Sequence, residues 1–360
     1  MLSGGGTGGH IFPAVAIANK IKEFYPEAEI LFVGALGRME MEKVPASGYK
    51  IVGVPIAGLQ RKLSLSNLKL PFLLFKSIRQ TFKVIADFKP NAVVGTGGYA
   101  SAPLLYAAGI KKVPYVIQEQ NSFAGITNKL LAKKASKICT AYEGMEQFFP
   151  HEKIIMTGNP VRKAIEECSG LKQEGIALFN LQPTLKTILV IGGSLGARTI
   201  NQAMAAGLQT LVNNGVQVIW QTGKGFFEQA KQAATPFNGK VQVYDFIARM
   251  DLAYAAADLV VSRAGASSVS EICLAGLPSI LVPSPNVAED HQTKNAMALV
   301  KKNATVLVKD NEADSKLIQE TLRVIADGTQ LSTIANNAAA MAFKDSAGVI
   351  AKEVLKLAGF

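Results

Sequence analysis

Two glycine-rich turns announce the chemistry this chain is equipped for. Gly4-Gly5-Gly6-Thr7-Gly8-Gly9-His10 and Gly192-Gly193-Ser194-Leu195-Gly196-Ala197 each open a helix-patterned stretch, and the second follows the apolar run 187–191. A glycine turn at a helix start exposes backbone N–H groups beside the positive end of the helix dipole, an arrangement suited to phosphate. Two such turns half a chain apart imply two nucleotide-fold halves and a reaction that involves diphosphates. His10 stands where the first turn becomes helix, among only three histidines. That position disfavours imidazolium, so a neutral ring able to act as general base is expected, against a ring that merely caps the turn.

The other chemistry-bearing segments fall after strands. Ser262 to Glu271 is a strand end followed by a small-residue helix start, where a ligand can approach the backbone. Glu271 suits a ribose diol, or equally a helix dipole. The loop 283–292 ends in His291-Gln292, types able to read sugar hydroxyls. Gly4, Gly6 and Gly9 also match GxGxxG, but no carboxylate closes the following strand at Gly34-Ala35, which argues against a nicotinamide cofactor. Gly192, Ser194 and Gly196 match G-x-S-x-G, which admits an α/β hydrolase with Ser194, Asp258 and His291 as triad. Asp258 precedes its strand rather than following it, so a phosphate-binding Ser194 is preferred. No D-x-D pair and no Cys/His cluster appears, so neither a metal nor any other cofactor is expected.

These groups must be positioned by parallel sheets. Short apolar strands are expected at 29–33, 91–94, 113–117 and 137–140, then at 187–191, 216–220, 241–244, 259–262, 279–282 and 305–308. Helix-patterned segments, 13–24 among them, lie between, and Ser346 is placed to cap a last helix. Alternation of this kind predicts an α/β fold of two doubly wound, Rossmann-like domains with a ligand cleft between them. The segment 157–162 reads as the boundary, giving domains at 1–161 and 162–342 with a closing helix over 343–360. Only Met1, Leu2 and Ser3 precede the first turn, so the first strand is expected to be cut short or to lack a leader.

Composition narrows the partners. At 360 residues, 49% hydrophobic and 18% charged, the chain is a globular protein with more than one core. A net charge of +11 favours an anionic partner, or serves solubility alone. Three isolated cysteines and no apolar run of membrane-spanning length point to a soluble or peripheral protein in a reducing compartment. The stretch 68–85 carries Phe72, Phe75, Ile78, Phe82 and Ile85 on one helical face, with Lys69, Lys76, Arg79 and Lys83 around it. It fits either an anionic bilayer surface or an ordinary sheet-covering helix.

The motifs also occur in a particular order. The two turns, Gly97-Gly98-Tyr99, Glu119-Gln120-Asn121, Gly158-Asn159-Pro160-Val161-Arg162 and His291-Gln292 together resemble the bacterial undecaprenyldiphospho-muramoylpentapeptide N-acetylglucosaminyltransferases of glycosyltransferase family 28. The resemblance runs over essentially the whole chain. It implies a GT-B, metal-independent, inverting enzyme that moves N-acetylglucosamine from UDP-N-acetylglucosamine to lipid I, giving lipid II for peptidoglycan. On matching positions, Ser194 and Arg162 would meet the donor diphosphate, Ile247 uracil, the segment Ala266, Ser267, Ser268, Val269, Ser270 and Glu271 the nucleoside, with Glu271 at the ribose, and Gln292 the sugar. Thr7, Gly8, Gly9 and Asn121 would reach the donor sugar, while Gly6, His10, Gly97, Gly98 and Tyr99 would hold the acceptor. The resemblance also favours a membrane-facing role for Leu68, Phe72, Phe75, Lys76 and Arg79 at the cytoplasmic face of the cell membrane. No nucleic-acid partner is implied.

Overall fold

The computed structural model of the chain describes residues 1–56, 70–193, 196–237 and 239–360. They divide into two compact units, Met1–Val161 with Asp345–Phe360, and Arg162–Lys344.

The first unit is built on a parallel sheet of β1 (Leu2–Ser3), β2 (Leu31–Ala35), β3 (Lys50–Val54), β4 (Val93–Gly95), β5 (Tyr115–Glu119), β6 (Lys137–Thr140) and β7 (Ile154–Met156). Its order is β3-β2-β1-β4-β5-β6-β7. Successive residues of the inner strands enter different cores. Phe32, Val94 and Val116 pack with Ile11 and Ile17, whereas Val33, Val93 and Ile117 pack with Leu104 and Leu105. A sheet buried on both faces accounts for the unbroken apolar runs that made these strands legible. The closing helix Ser346–Ala358 adds Ile350, Ala351 and Val354 to the first of these cores, against helix Gly8–Phe24. Its N-cap is Asp345, with Ser346 as the first helical residue.

Short as it is, β1 is an interior strand, third of the seven. Leu2 pairs with both Phe32 and Val94, and Ser3 with Gly95. The Ser3 hydroxyl donates to the carbonyls of Val33 at 2.7 Å and Ala100 at 3.1 Å, tying three segments together. The helix after the first turn starts at Gly8, five residues before the start read from the sequence. The amides of His10 and Ile11 both donate to the Thr7 carbonyl, which begins the helix ahead of Pro13. Strands β3 and β7, both sheet edges, escaped the periodicity; β3 is half exposed and interrupted by Gly53.

The second unit repeats the plan with β8 (Lys186–Ile191), β9 (Val216–Gln221), β10 (Val241–Tyr244), β11 (Leu259–Ser262), β12 (Ser279–Leu281) and β13 (Val306–Leu307). All its pairs are parallel, in the order β10-β9-β8-β11-β12-β13. In both sheets the order reverses beside the strand that precedes a glycine-rich turn. Ligands of open parallel sheets bind at the carboxyl ends of strands at such a switch point.

The first turn depends on close backbone approach. A Cβ at Gly4 would lie 1.9 Å from Thr96 Oγ1 and 2.5 Å from the His10 carbonyl. Gly4→Ala is therefore expected to lower unfolding stability by about 1–3 kcal/mol, as overpacking does. Gly170→Ala, where a Cβ meets nothing within 4 Å, is expected to stay near wild type. Paired urea melts check the contrast.

Candidate functional site

In the first unit the switch point lies between β1 and β4, and two loops meet there. The turn Gly4 to Gly9 leaves β1, and Thr96-Gly97-Gly98 leaves β4. Gly97 and Gly98 have φ of +97° and +75°, and Cβ atoms there would stand 3.1 Å and 3.2 Å from the His10 ring. Only glycine lets that ring lie against the second loop. Thr7 is the N-cap of helix Gly8–Phe24; it makes no side-chain cap, and the first turn carries no acidic residue. The N–H groups of Gly8 and Gly9 thus open the helix without an internal anion.

The His10 ring is oriented by a buried amide relay that motif reading passed over. Its Nδ1 lies 3.0 Å from the Thr96 carbonyl and 3.0 Å from Gln120 Oε1. The Gln120 amide group donates to the Thr96 carbonyl at 2.5 Å and also to the Gln118 side-chain oxygen. Gln118 donates in turn to Asn159 Oδ1 at 3.0 Å, and Asn159 donates to the Gln120 carbonyl at 3.0 Å. With the Gln120 NH2 facing acceptors, its oxygen faces His10 and can only accept. Nδ1 therefore meets two acceptors and carries the proton, which makes Nε2 the basic nitrogen of the neutral ring.

Glu40 alters the reading of the first turn. Fully buried, it accepts from the amides of Ala35 and Gly6, each at 3.0 Å. The Gly6 amide is thereby committed within the fold and is not a phosphate donor. Gly6 contributes instead by its missing side chain, since a Cβ would stand 3.3 Å from the Tyr99 ring. Burial raises the Tyr99 phenol above its ordinary range, keeping it a hydrogen-bond donor. Asn121 is held beside the relay by Glu119, which accepts its backbone amide at 3.1 Å and also bonds Asn128 at 2.8 Å.

In the second unit the turn after β8 is fastened to β9 by the Gly192 amide, which donates to the Gln221 carbonyl at 3.0 Å. Ser194 lies outside the described residues, as does Leu68. Asp258 accepts from the Thr187 amide at 2.8 Å and from Lys172 at 3.1 Å. It thus sits at the amino ends of β8 and β11, about 13 Å of strand away from the glycine turn. That placement removes it from any triad with Ser194, and the hydrolase reading falls with it.

Helix Ala266–Ala275 starts at the switch-point strand β11, with Ala266, Ser267 and Ser268 half-buried at its mouth and Val269 buried beneath. Glu271 is its sixth residue, beyond the first turn, where a dipole contact has decayed. Its Oε1 accepts from Arg162 Nη2 at 2.9 Å and Nε at 3.3 Å, and its Oε2 accepts from the Tyr254 hydroxyl at 3.0 Å. The Gln292 side-chain oxygen accepts the Ser284 amide at 2.8 Å, which turns its NH2 outward as a donor. Ile247 is buried, and Ser270 half-buried. Among the described residues no group of His, Cys, Asp and Glu is arranged to hold a metal ion.

The amphipathic stretch changes character along helix Leu70–Phe88. Phe82 and Ile85 join the core, whereas Phe72 and Phe75 are 68% and 67% exposed. The single apolar face read from the sequence is thus two faces, one for packing and one for solvent. Lys76 and Arg79 are exposed beside the latter.

Two Rossmann-like units, each with a glycine-rich turn at its switch point, have the GT-B architecture of nucleotide-sugar enzymes. The chain belongs to glycosyltransferase family 28: residues 1–140 match its N-terminal domain and residues 187–350 its C-terminal domain. It is 56% identical over 358 residues, 99% of its length, to the UDP-N-acetylglucosamine--N-acetylmuramyl-(pentapeptide) pyrophosphoryl-undecaprenol N-acetylglucosamine transferase of Parabacteroides distasonis, covering 97% of that protein. The enzyme of the same name from Phocaeicola vulgatus is likewise 56% identical, over 99% of this chain and 96% of its own. Among solved structures, MurG of Acinetobacter baumannii superposes with a TM-score of 0.80 at 26% identity, covering 99% of this chain and 98% of its own.

Glu40→Gln replaces an acceptor oxygen by an NH2 that faces a backbone N–H. It is expected to cost the protein about 1–3 kcal/mol, the range for an unsatisfied buried donor. A urea midpoint equal to wild type would show that Glu40 does not anchor the turn.

Proposed function

We infer that this chain transfers N-acetylglucosamine from UDP-N-acetylglucosamine to lipid I, giving lipid II, the disaccharide precursor of peptidoglycan. Family membership with near-full-length identity supports the activity. The geometry at His10 supports the mechanism and is the observation on which the assignment of roles rests. The 4-hydroxyl oxygen of the muramoyl sugar attacks the anomeric carbon of the donor from the face opposite UDP. A C–O bond forms there as the bond to the diphosphate breaks, and the configuration inverts. His10 Nε2 takes the hydroxyl proton, because Nδ1 already carries a proton that it donates toward its two acceptors.

The second unit supplies the donor groups. Arg162 gives Nε and Nη2 to Glu271 and keeps Nη1 for the leaving diphosphate. Glu271 takes the ribose hydroxyls, the outward NH2 of Gln292 the sugar, and the turn around Ser194 the phosphates. Thr7, Gly8, Gly9 and Asn121 complete the donor-sugar contacts from the first unit. The acceptor lies against His10, Gly97, Gly98 and Tyr99, with the missing side chain of Gly6 making room for it.

The acceptor is a lipid, so the first unit must meet a membrane surface. No helix of the described residues is long and apolar enough to cross a bilayer. Helix Leu70–Phe88 instead presents Phe72 and Phe75, and the packed helices Ala102–Ile110 and Ile126–Leu131 leave Tyr106, Ile110, Ile126 and Leu130 exposed. Lys76, Arg79, Lys111 and Lys112 are exposed on the same unit. Apolar residues that enter the interface beside cations worth about 1 kcal/mol each favour peripheral binding to an anionic leaflet.

Purified protein is expected to move labelled N-acetylglucosamine from the UDP donor to lipid I with a β linkage. His10→Ala should lower kcat by about 10²–10⁴-fold while UDP affinity stays near wild type. No transfer to lipid I refutes the function, and a wild-type kcat in His10→Ala refutes the base. Phe72→Ser with Phe75→Ser should weaken binding to anionic vesicles by at least about tenfold, given roughly 1.5–3 kcal/mol per buried aromatic. The melting temperature should not change; a protein that unfolds instead assigns both rings to the core.

A further inference from the structure

Tyr254 is the most deeply buried phenol whose hydroxyl reaches a substrate-binding carboxylate. It sits on helix Met250–Ala256 with 1% of its surface exposed, and its hydroxyl donates to Glu271 Oε2 at 3.0 Å. Burying a phenol has a polar cost that phenylalanine avoids, so the hydroxyl is retained for what it contacts. Arg162 holds the other oxygen, Oε1, at 2.9 Å. A carboxylate offers about four lone-pair positions. Arg162 Nη2 and Nε both donate to Oε1 and Tyr254 donates to Oε2, so three donors fix the plane of the group; Oε2 keeps one position, and Oε1 gains one when an Arg162 N–H turns away.

A vicinal cis-diol offers two hydroxyl donors side by side, the complement of a carboxylate presented in a fixed plane. The two restraints differ in kind. The Arg162 side chain is 52% exposed and able to move toward a phosphate. Tyr254 is enclosed, and burial raises its phenol far above the ordinary range, so it donates at any pH at which the protein is folded. Of the two, Tyr254 is the permanent one.

We propose that Tyr254 is a positioning residue that aims the Glu271 carboxylate at the ribose 2′- and 3′-hydroxyls and so sets the preference of the donor site for ribonucleotides over deoxyribonucleotides. It rests on the reading of Glu271 as the ribose ligand. It goes beyond that reading by assigning sugar selectivity to a side chain that does not itself touch the donor. A site that hydrogen-bonds a hydroxyl rejects the analogue lacking it because the site group is then left unpaired.

The test compares inhibition by UDP and by 2′-deoxy-UDP against the UDP-N-acetylglucosamine donor in wild type, Tyr254→Phe and Glu271→Ala. Wild type should prefer UDP by about tenfold or more, the scale of a hydrogen bond to a charged group. Tyr254→Phe should reduce that preference several-fold and raise the donor KM, with kcat at saturating donor within about twofold of wild type. Glu271→Ala should abolish the preference. A wild-type ratio in Tyr254→Phe overturns the proposal, including when its melting temperature falls, because a merely structural hydroxyl would lower stability without touching selectivity. If Glu271→Ala also retains the ratio, the ribose reading itself fails. If Glu271→Ala loses the ratio and Tyr254→Phe keeps it, that reading stands and Tyr254 alone is excluded.

Discussion

The hydrogen bond from His10 Nδ1 to the Thr96 carbonyl, 3.0 Å long, is the interaction on which the chemistry proposed for the first unit depends. A neutral imidazole has one donor and one acceptor nitrogen, and fixing the donor fixes the acceptor. The sheet performs that choice. Thr96 follows β4 and Gln120 follows β5, so parallel pairing sets the carbonyl and the amide beside the helix that carries His10. The same threonine returns a bond, its hydroxyl donating to the His10 carbonyl at 2.6 Å. The ring and its backbone are thereby held from both sides by one residue of the neighbouring loop.

The rest of the site follows the same logic, in which internal partners decide which atoms remain for substrate. A buried polar group without a partner costs about 1–3 kcal/mol, so each must be satisfied within the fold or by ligand. Glu40 takes the Gly6 amide and leaves the amides that begin the helix. Ser284 takes the Gln292 oxygen and leaves its NH2. Arg162 takes two positions on Glu271 Oε1 and Tyr254 one on Oε2. On the proposed assignment of roles, substrate recognition is partly set by contacts that no substrate makes, which is what preorganisation means in atomic terms.

Much of this architecture was legible because strands covered on both faces read as continuous apolar runs, as at 187–191 and 259–262. The edge strands Lys50–Val54 and Ile154–Met156 were not, although the half-exposed edges Val241–Tyr244 and Val306–Leu307 were; Lys50–Val54 opens on an exposed lysine and is broken by Gly53. Glycine turns marked both switch points for a physical reason, the exposed amides they create. The helix start at Gly8 was hidden by Pro13, which local rules place at a first turn rather than a sixth position. Gln118, Gln120, Asn159, Glu40 and Tyr254 left no individual trace. Their roles arise from contacts between segments far apart in the chain, 17 residues for Tyr254 to Glu271, 41 for Gln118 to Asn159 and 110 for Gln120 to His10. One-dimensional spacing carries no signal for such pairs. The amphipathic stretch misled in a different way, because its apolar residues divide between a solvent face at Phe72 and Phe75 and a packed face that ends at Ile85.

The most direct measurement is the ¹⁵N chemical shift of the His10 imidazole in the folded protein near pH 8, assigned by comparison with His10→Gln. The account predicts a pyrrole-type, protonated Nδ1 and a pyridine-type Nε2, with the pattern weakening in Gln120→Ala. A protonated Nε2 with an unprotonated Nδ1 would contradict it, since the nitrogen assigned to accept the substrate proton would already hold one.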